Sequence, residues 1–161
     1  MTQEIKISIL GGVRENGKNM YAAEVGDKIF ILDAGLKYPE TDLLGIDIVI
    51  PELTYFEQNI DKIVGIFLTH GHDDAIGALP YILRQYDIPV FGTKLTVELA
   101  KIVIDKEKLS HKKHQLFHEI DSETEIEFGE TTVSFFQTTH SIPGSLGVVI
   151  ETEQGQIVYT G

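Results

Sequence analysis

The segment that decides the fold of this chain is Thr69-His70-Gly71-His72-Asp73-Asp74-Ala75, which directly follows the apolar stretch 63–68. Side chains two residues apart lie on the same side of an extended backbone, so His70 and His72 can converge on one ion. Neutral imidazole is a good ligand for zinc or manganese, and a carboxylate such as that of Asp74 suits the same ions. The pattern therefore predicts a metal site at the end of a buried strand.

One position of this metal-binding pattern is altered. The intact pattern is His-x-His-x-Asp-His, which supplies ligands to two ions. Two ions about 3.5–4 Å apart can activate a water molecule and stabilise the leaving oxygen of a phosphodiester. Here the last position is Ala75, whose methyl group cannot coordinate an ion. We therefore expect an incomplete two-metal site, in which Asp74 is the one candidate catalytic residue.

The composition is that of an ordinary globular domain of 161 residues. The absence of cysteine excludes disulfides and thiolate zinc sites and is compatible with a reducing cytosol. The formal net charge of −12 argues against direct nucleic-acid binding by this segment, although bound cations can offset it locally. No apolar run is long enough to span a bilayer, and the first residues do not resemble a signal peptide. We expect a cytoplasmic protein with no membrane partner.

The predicted secondary structure changes from strands to helices and back to strands. Turn residues at Gly26-Asp27 and Gln154-Gly155 predict two hairpins. Strands are predicted at 5–10, 20–25, 28–32, 63–68, 89–92, 115–119, 124–128, 132–138, 146–152 and 156–160. This order indicates layered sheets with helices outside them.

Three helices are predicted between the two groups of strands, at 53–59, at 75–86 and from Thr93 or Thr96 to about Asp105. Within the second helix, Pro80 indicates either a kink or a late start. The side chains predicted to face inward from the third helix are Leu95, Leu99, Ile102 and Val103.

A second group of histidines allows two interpretations. The spacing of His111, His114 and His118 suits a helical metal-binding face. The interleaved Lys112 and Lys113 favour a solvated surface instead.

Two further features of the sequence each allow two interpretations. Asp33 follows a strand and either supports a metal ligand or caps a turn. The glycine-rich segment 11–17 is either a turn between strands, which we favour, or a phosphate cradle in which Arg14 would contact a phosphate.

Several short segments together resemble the metallo-β-lactamase superfamily and, more closely, the ribonuclease J family. They are Leu10-Gly11-Gly12-Val13, Gly17-Lys18-Asn19-Met20, Leu32-Asp33-Ala34-Gly35, Gly45-Ile46-Asp47-Ile48-Val49-Ile50-Pro51, Leu68-Thr69-His70-Gly71-His72, Gly77-Ala78-Leu79-Pro80-Tyr81 and His140-Ser141-Ile142-Pro143. The resemblance implies a mixed α+β or α/β fold, a metallo-β-lactamase-like αββα sandwich. It implies that residues 1–161 are the N-terminal part of such a domain and form the first half only, without the inserted β-CASP domain and the C-terminal parts.

The resemblance also implies how the ligands are shared between two ions. His70, His72 and His140 match the ligands of the first ion, and Asp74 alone remains for the second. Gly144 stands where an acidic residue often follows the His-Ser-Ile-Pro segment, and the family's bridging aspartate would follow Gly161. The departures resemble a catalytically degenerate branch of the family found in Gram-positive bacteria. We expect at most one zinc or manganese ion, or none in this segment.

Three functions follow from these expectations. The favoured one is a subunit of an RNA-degrading ribonuclease J complex with weak or no phosphodiester hydrolysis of its own. Its partners in the full-length protein would be RNA and an active ribonuclease J paralogue in a hetero-oligomer. The second is a purely structural partner of an active ribonuclease J. The third, a small-molecule hydrolase such as a thioesterase or lactonase, is disfavoured by Ala75 and by the family segments.

The late strands are expected to expose an apolar face. Val133, Phe135, Val148 and Ile150 alternate along two strands, and half a sandwich would leave them without a cover. Large bare apolar faces and unpaired strand edges favour association. We therefore expect the isolated segment to self-associate or to belong to a longer molecule, and we expect it not to cleave RNA.

Overall fold

Two β-sheets pack face to face in the computed structural model of the protein, which describes residues 4–40 and 44–161. The strands of the first sheet, β1 to β6, are Ile5–Gly11, Met20–Val25, Lys28–Leu32, Ile63–Phe67, Val90–Gly92 and Phe117–Glu119. They lie in sequential order; β1 to β3 are antiparallel neighbours, and β3 to β6 are parallel. The Gly26-Asp27 hairpin between β2 and β3 is confirmed.

The second sheet is an antiparallel meander with the order β10-β9-β8-β7. Its strands, β7 to β10, are Glu125–Phe128, Thr131–Gln137, Leu146–Thr152 and Gly155–Tyr159. The strand predicted at 115–119 is partly wrong, because its first two residues belong to a 3₁₀-helix, His111–Leu116, and β6 begins only at Phe117.

The first sheet is covered on both faces at its central strands, which explains why β3 and β4 are nearly continuous apolar runs. Successive side chains of β3 point in opposite directions: Ile31 packs under the helices, and Phe30 packs toward the second sheet. The helices on the outer face are α1 Thr54–Asn59, α2 Asp73–Ile76, α3 Leu79–Gln85 and α4 Lys94–Lys106. The described residues therefore form three layers of a sandwich, in the order helices, first sheet, second sheet.

The apolar face of the second sheet is covered, so the expectation of a bare face is wrong. Val133, Val148 and Ile150 are almost fully buried, and Phe135 is 6% exposed. They pack against side chains of the first sheet, and the rings of Phe67 and Phe135 are 6.3 Å apart. Because the first sheet of the same chain covers this face, the face gives no reason to expect self-association.

The helix predicted at 75–86 consists of two shorter helices. α2 ends at Ile76, and α3 begins at Leu79 with Pro80 in its first turn, where the missing amide hydrogen costs little. A side chain at Gly77, the residue that follows α2, would clash with Leu36 and with the Asp73 carbonyl. The late start was therefore the correct alternative at Pro80.

The inward face predicted for α4 is partly wrong. Leu95 and Ile102 are 40% and 50% exposed, whereas the fully buried apolar side chains are Val97, Ala100 and Ile104. These three residues have the i, i+3, i+7 spacing of one helical stripe, and the small Ala100 lets the helix approach the sheet closely.

Thr93 is the residue that precedes the first turn of α4, but its side chain caps no backbone amide. Its hydroxyl lies 3.0 Å from the Thr96 hydroxyl and donates to the Gly144 carbonyl at 2.9 Å. Thr93 therefore links α4 to the loop between β8 and β9.

Candidate metal centre

The candidate site lies where the carboxyl ends of parallel strands meet, the edge at which open α/β sheets place ligands. His70 and His72 follow β4, and Asp33 follows the adjacent strand β3. His140 lies in the loop between β8 and β9, so it comes from the second sheet. A hydrogen bond of 2.8 Å from the Leu146 amide to the Thr69 carbonyl joins the two sheets at this point.

Three imidazoles converge at this edge. The ring centres of His70 and His140 are 4.5 Å apart, those of His72 and His140 are 4.9 Å apart, and those of His70 and His72 are 5.0 Å apart. One ligating nitrogen from each ring lies within 4.8 Å of the others. His70 is buried, His72 is half-buried and His140 is exposed, so the cluster has a buried floor and an open side.

Asp74 lies beside the three rings. Its Oδ1 is 3.3 Å from Nε2 of His70, and Asn19 donates to its Oδ2 at 3.2 Å. The His70 imidazole lowers the pKa of the Asp74 carboxyl, and the Asp74 carboxylate raises the pKa of His70. The two groups nevertheless lack hydrogen-bond geometry: within the described part of the chain, His70 Nε2 and Asp74 Oδ1 are buried atoms without a hydrogen-bond partner.

These two atoms fit a metal ion. Buried polar atoms normally have partners, and a lone pair on each of two adjacent atoms is suited to coordinating a cation. His72 and His140 each bring an imidazole nitrogen within 4.8 Å of that of His70, and Asp74 lies beside this group of three. The residues present can therefore hold one divalent ion of the zinc or manganese type.

A buried hydrogen-bond network fixes the orientation of His70. The Thr69 hydroxyl donates to Asp33 Oδ2 at 2.8 Å and lies 2.9 Å from Nδ1 of His70. A hydroxyl that donates to a carboxylate can accept from Nδ1–H, and this leaves the lone pair of Nε2 directed at the cluster. Hydrogen bonds to the ring nitrogen that does not bind the metal set the tautomer and the ring orientation of metal-binding histidines.

Asp33 anchors this network. It accepts a second bond from the Thr69 amide at 2.8 Å and one from the Tyr159 hydroxyl at 3.0 Å. Burial raises the pKa of Asp33 to about 6, against the lowering effect of its hydrogen bonds to Thr69 and Tyr159. Asp33 was expected either to support a metal ligand or to cap a turn. Its contacts agree with the first interpretation, because Asp33 holds Thr69 and Thr69 contacts His70.

Ala75, which occupies the position of the missing histidine ligand, belongs to the hydrophobic core. Ala75 is fully buried in the cluster between the first sheet and the helices. Its carbonyl accepts a 2.7 Å hydrogen bond from the Ala34 amide. The methyl group contributes packing at this position and no coordination.

Two clefts flank the cluster. One, of about 390 Å³, is lined by His70, Asp74, His140 and Tyr159 among others. The other borders His72 and is lined by Lys37, Tyr38 and the loop residues Asn16 and Gly17. The glycine-rich segment thus connects β1 to β2 and also borders the candidate site.

Sequence reasoning missed three supporting residues. Asn19 belongs to a family segment but carries no ligand pattern of its own, and Thr69 has no signal beyond its place before His70. Tyr159 lies 126 positions from its partner Asp33. Only the folded chain brings them together.

The second histidine group is divided by the structure. His111 and His114 lie together with Asp105, and one ligating atom from each lies within 4.8 Å of the others. His118 is apart from them, stacked on Phe91 with ring centres 5.1 Å apart. His111 and His118 are exposed and His114 is half-buried, so the favoured interpretation of a solvated surface agrees with the structure, and the three histidines form no continuous helical metal face.

The fold and the histidine cluster define a class of protein. A family model described as the metallo-beta-lactamase superfamily matches residues 13–161, and the chain belongs to that superfamily. It is 60% identical over 158 residues to Ribonuclease J 2 of Streptococcus pyogenes, covering 98% of this chain and 28% of that protein. It is 51% identical to Ribonuclease J 2 of Staphylococcus aureus, covering 99% of this chain and again 28% of the relative.

A solved structure shares the fold at lower identity. The metallo-beta-lactamase fold protein YhfI from Bacillus subtilis has a TM-score of 0.64 and 19% identity, with 98% of this chain and 61% of that chain covered. The sandwich fold expected from the sequence is confirmed. None of the helices formed by residues 4–40 and 44–161 has the length and apolar character needed to cross a membrane.

Proposed function

We propose that this chain belongs to a ribonuclease J-type protein that acts on RNA, and that its metal site holds one ion and supports weak phosphodiester hydrolysis or none. The observation that carries the proposal is the contrast between three convergent imidazoles and a buried methyl group at Ala75. The similarity to Ribonuclease J 2 supports RNA as the substrate class. Because the chain spans only 28% of those relatives, the proposal concerns the full-length protein.

In this proposal, His70, His72 and His140 would hold a zinc or manganese ion. Such an ion, when bound, supplies Lewis acidity toward a phosphate oxygen and an activated water. The chain orients His70 through Thr69 and Asp33, and it orients Asp74 through Asn19.

Asp74 is the candidate catalytic residue in this proposal. Its lowered pKa keeps it ionised near neutral pH, which makes it a weak proton acceptor and a better ligand than general base. Without a ligand at position 75, Asp74 would hold a second ion weakly. The expected consequence is slow hydrolysis.

The partners in this proposal are RNA and an active ribonuclease J paralogue in a hetero-oligomer. A subunit with an impaired site would contribute stability or part of the RNA path while its partner supplies most of the chemistry. The formal charge of −12 means that RNA contacts would depend on bound cations or on parts of the complex outside this segment.

RNA cleavage by the full-length protein, alone and with its active paralogue, tests the proposal. We expect weak, metal-dependent cleavage of labelled RNA that is lost in His70→Ala/His72→Ala, and no cleavage by the 161-residue segment. Cleavage as fast as that of the active paralogue would contradict the proposal. A complete lack of cleavage together with stable complex formation would select the structural partner. Hydrolysis of thioesters or lactones without RNA binding would select the small-molecule hydrolase.

A further inference from the structure

We propose a second zinc site on the surface of this protein, formed by Asp105, His111 and His114. These residues lie at the end of α4 and on the 3₁₀-helix that follows it. None of them lines the cleft of the candidate metal centre. The site is independent of the proposed function.

The local backbone explains why the two histidines share one face. A 3₁₀-helix has about three residues per turn, so side chains at i and i+3 are eclipsed. His111 and His114 have this spacing on the 3₁₀-helix His111–Leu116, and their ring centres are 5.1 Å apart. The Ser110 side chain caps this helix by accepting from the Lys112 amide at 3.3 Å.

The turn between the two helices brings Asp105 to the same place. Lys108 adopts a left-handed conformation with φ of 57°, which is unusual for a residue with a side chain. The Lys108 amide donates to the Asp105 carbonyl at 2.9 Å, and the Leu109 amide donates to the Ile104 carbonyl at 3.1 Å. These bonds hold the end of α4 against the start of the 3₁₀-helix.

One of the two distances to Asp105 is already that of a tetrahedral edge, and the other is that of a hydrogen bond, which a bound ion would replace. Asp105 Oδ1 lies 2.8 Å from Nε2 of His114 and 3.5 Å from Nδ1 of His111. Metal–ligand bonds of about 2.0–2.2 Å in a tetrahedron place neighbouring ligand atoms about 3.4 Å apart. Two imidazoles and one carboxylate are a zinc ligand set, and the exposed side leaves a fourth position for water.

The neighbouring charges allow a cation to bind. Lys113 is directed to Asp87, with a contact of 2.6 Å between Nζ and Oδ1. Lys101 is likewise paired with Glu98, at 2.8 Å. The alternative is an ordinary surface ion pair between Asp105 and the two histidines, and this alternative has no preference for a transition metal.

Measuring zinc binding to the full-length protein distinguishes a zinc site from an ordinary surface ion pair. Equilibrium dialysis with metal analysis would compare the wild type with His111→Ala/His114→Ala. We expect the double variant to bind one zinc fewer per chain, and Asp105→Asn to weaken this site at least about tenfold. Cobalt substituted into the site should give the visible absorption of a tetrahedral ion, and that signal should be lost in the double variant.

The matched control is His118→Ala, which removes a nearby histidine that stacks on Phe91 outside the cluster. It should retain the full zinc stoichiometry. Circular dichroism would show that each variant is folded, and Asp105→Asn provides a nearly isosteric second test. Equal zinc binding by the wild type and the double variant would overturn the proposal, as would equal loss in His118→Ala. Loss of zinc only in His70→Ala/His72→Ala would assign all binding to the other centre and would also overturn it.

Discussion

The hydroxyl of Tyr159 donates a 3.0 Å hydrogen bond to the buried carboxylate of Asp33. Tyr159 ends the last strand of the second sheet, and Asp33 follows β3 of the first. The bond therefore connects the two sheets directly behind His70, since Asp33 also holds Thr69 and Thr69 contacts the His70 ring. The orientation of a candidate metal ligand thus depends on the packing of both sheets.

Tyr159→Phe should weaken this support without changing the shape of the core. We expect a loss of about 1–2 kcal/mol in the free energy of unfolding, because a buried acceptor loses a donor. The affinity of the centre for zinc should fall several-fold. Urea unfolding and competition with a zinc chelator would measure the two effects.

Tyr21→Phe is the matched control for Tyr159→Phe. The two rings pack against each other with centres 5.4 Å apart, but the Tyr21 hydroxyl makes no hydrogen bond within residues 4–40 and 44–161. Tyr21→Phe should leave both the free energy of unfolding and the zinc affinity almost unchanged. Equal effects of the two substitutions would show that the Tyr159 hydroxyl has no special role.

Thr69→Val should reduce zinc affinity at the candidate centre by about tenfold or more, the usual consequence of losing an outer partner of a metal-binding histidine. Valine keeps the branched shape but removes the hydroxyl that bridges Asp33 and His70. Thr69→Ser keeps the hydroxyl and should restore most of the affinity, as measured by chelator competition. Failure of serine to bind zinc better than valine would contradict the bridging role.

Much of the fold could be predicted from local patterns. The hairpin at Gly26-Asp27 and most of the strands follow from turn residues and apolar runs, and these agree with the structure. The family segments led to the sandwich fold, and the His-x-His pattern pointed to the end of β4. Patterns of this kind are contained within about ten residues, so they can be read from the sequence without knowledge of the tertiary packing.

The remaining features depended on packing that the sequence does not display. Two apolar stripes with helical spacing run along α4, and packing against the core buries Ala100 and Ile104 fully but Leu99 and Val103 only in part. The left-handed turn at Lys108 brought Asp105 to His111, although the spacing of these residues fits no single helix.

Ala75→His should raise zinc or manganese binding in the full-length protein but should also destabilise it. The methyl group is fully buried in the core, and enlarging a packed core residue costs about 1–3 kcal/mol. The imidazole supplies one ligand beside Asp74, so a gain in RNA cleavage is expected only in the full-length protein. Metal analysis, urea unfolding and cleavage of labelled RNA would be measured together.

Ala78→His provides the control for overpacking, because Ala78 is equally buried in the same core cluster but lies outside the metal-binding pattern. It should destabilise the protein and bind no additional metal. Binding of a second ion by the 161-residue segment carrying Ala75→His would show that the ligands have been misassigned.

The stability of the protein should depend on pH through Glu24. Lys6 lowers the pKa of this carboxyl most strongly, with a further contribution from the Tyr55 hydroxyl, which donates at 2.9 Å. A folded pKa below the unfolded value means that the stabilisation is complete above the unfolded pKa and is lost as the pH falls through the folded one. Glu24→Gln should therefore cost about 1 kcal/mol at pH 7 and progressively less below about pH 4.5.

Urea unfolding between pH 7 and pH 3.5 would measure this dependence, with Glu125→Gln on the exposed side of β7 as the control. The curve of Glu24→Gln should converge on that of the wild type as the solution becomes acidic. A difference between them that stays constant over this range would exclude the charge of Glu24 as its source.

The corrected face of α4 gives the last prediction. Ile104 is fully buried in the core between the helices and the first sheet, whereas Ile102, two residues earlier, is 50% exposed. Ile104→Ala should lower the free energy of unfolding by about 2–5 kcal/mol, because it removes buried methyl groups and leaves a cavity. Ile102→Ala makes the same chemical change on the same helix and should cost well under half as much. Urea unfolding of both variants measures the difference, and similar losses would show that α4 does not bury Ile104 in preference to Ile102.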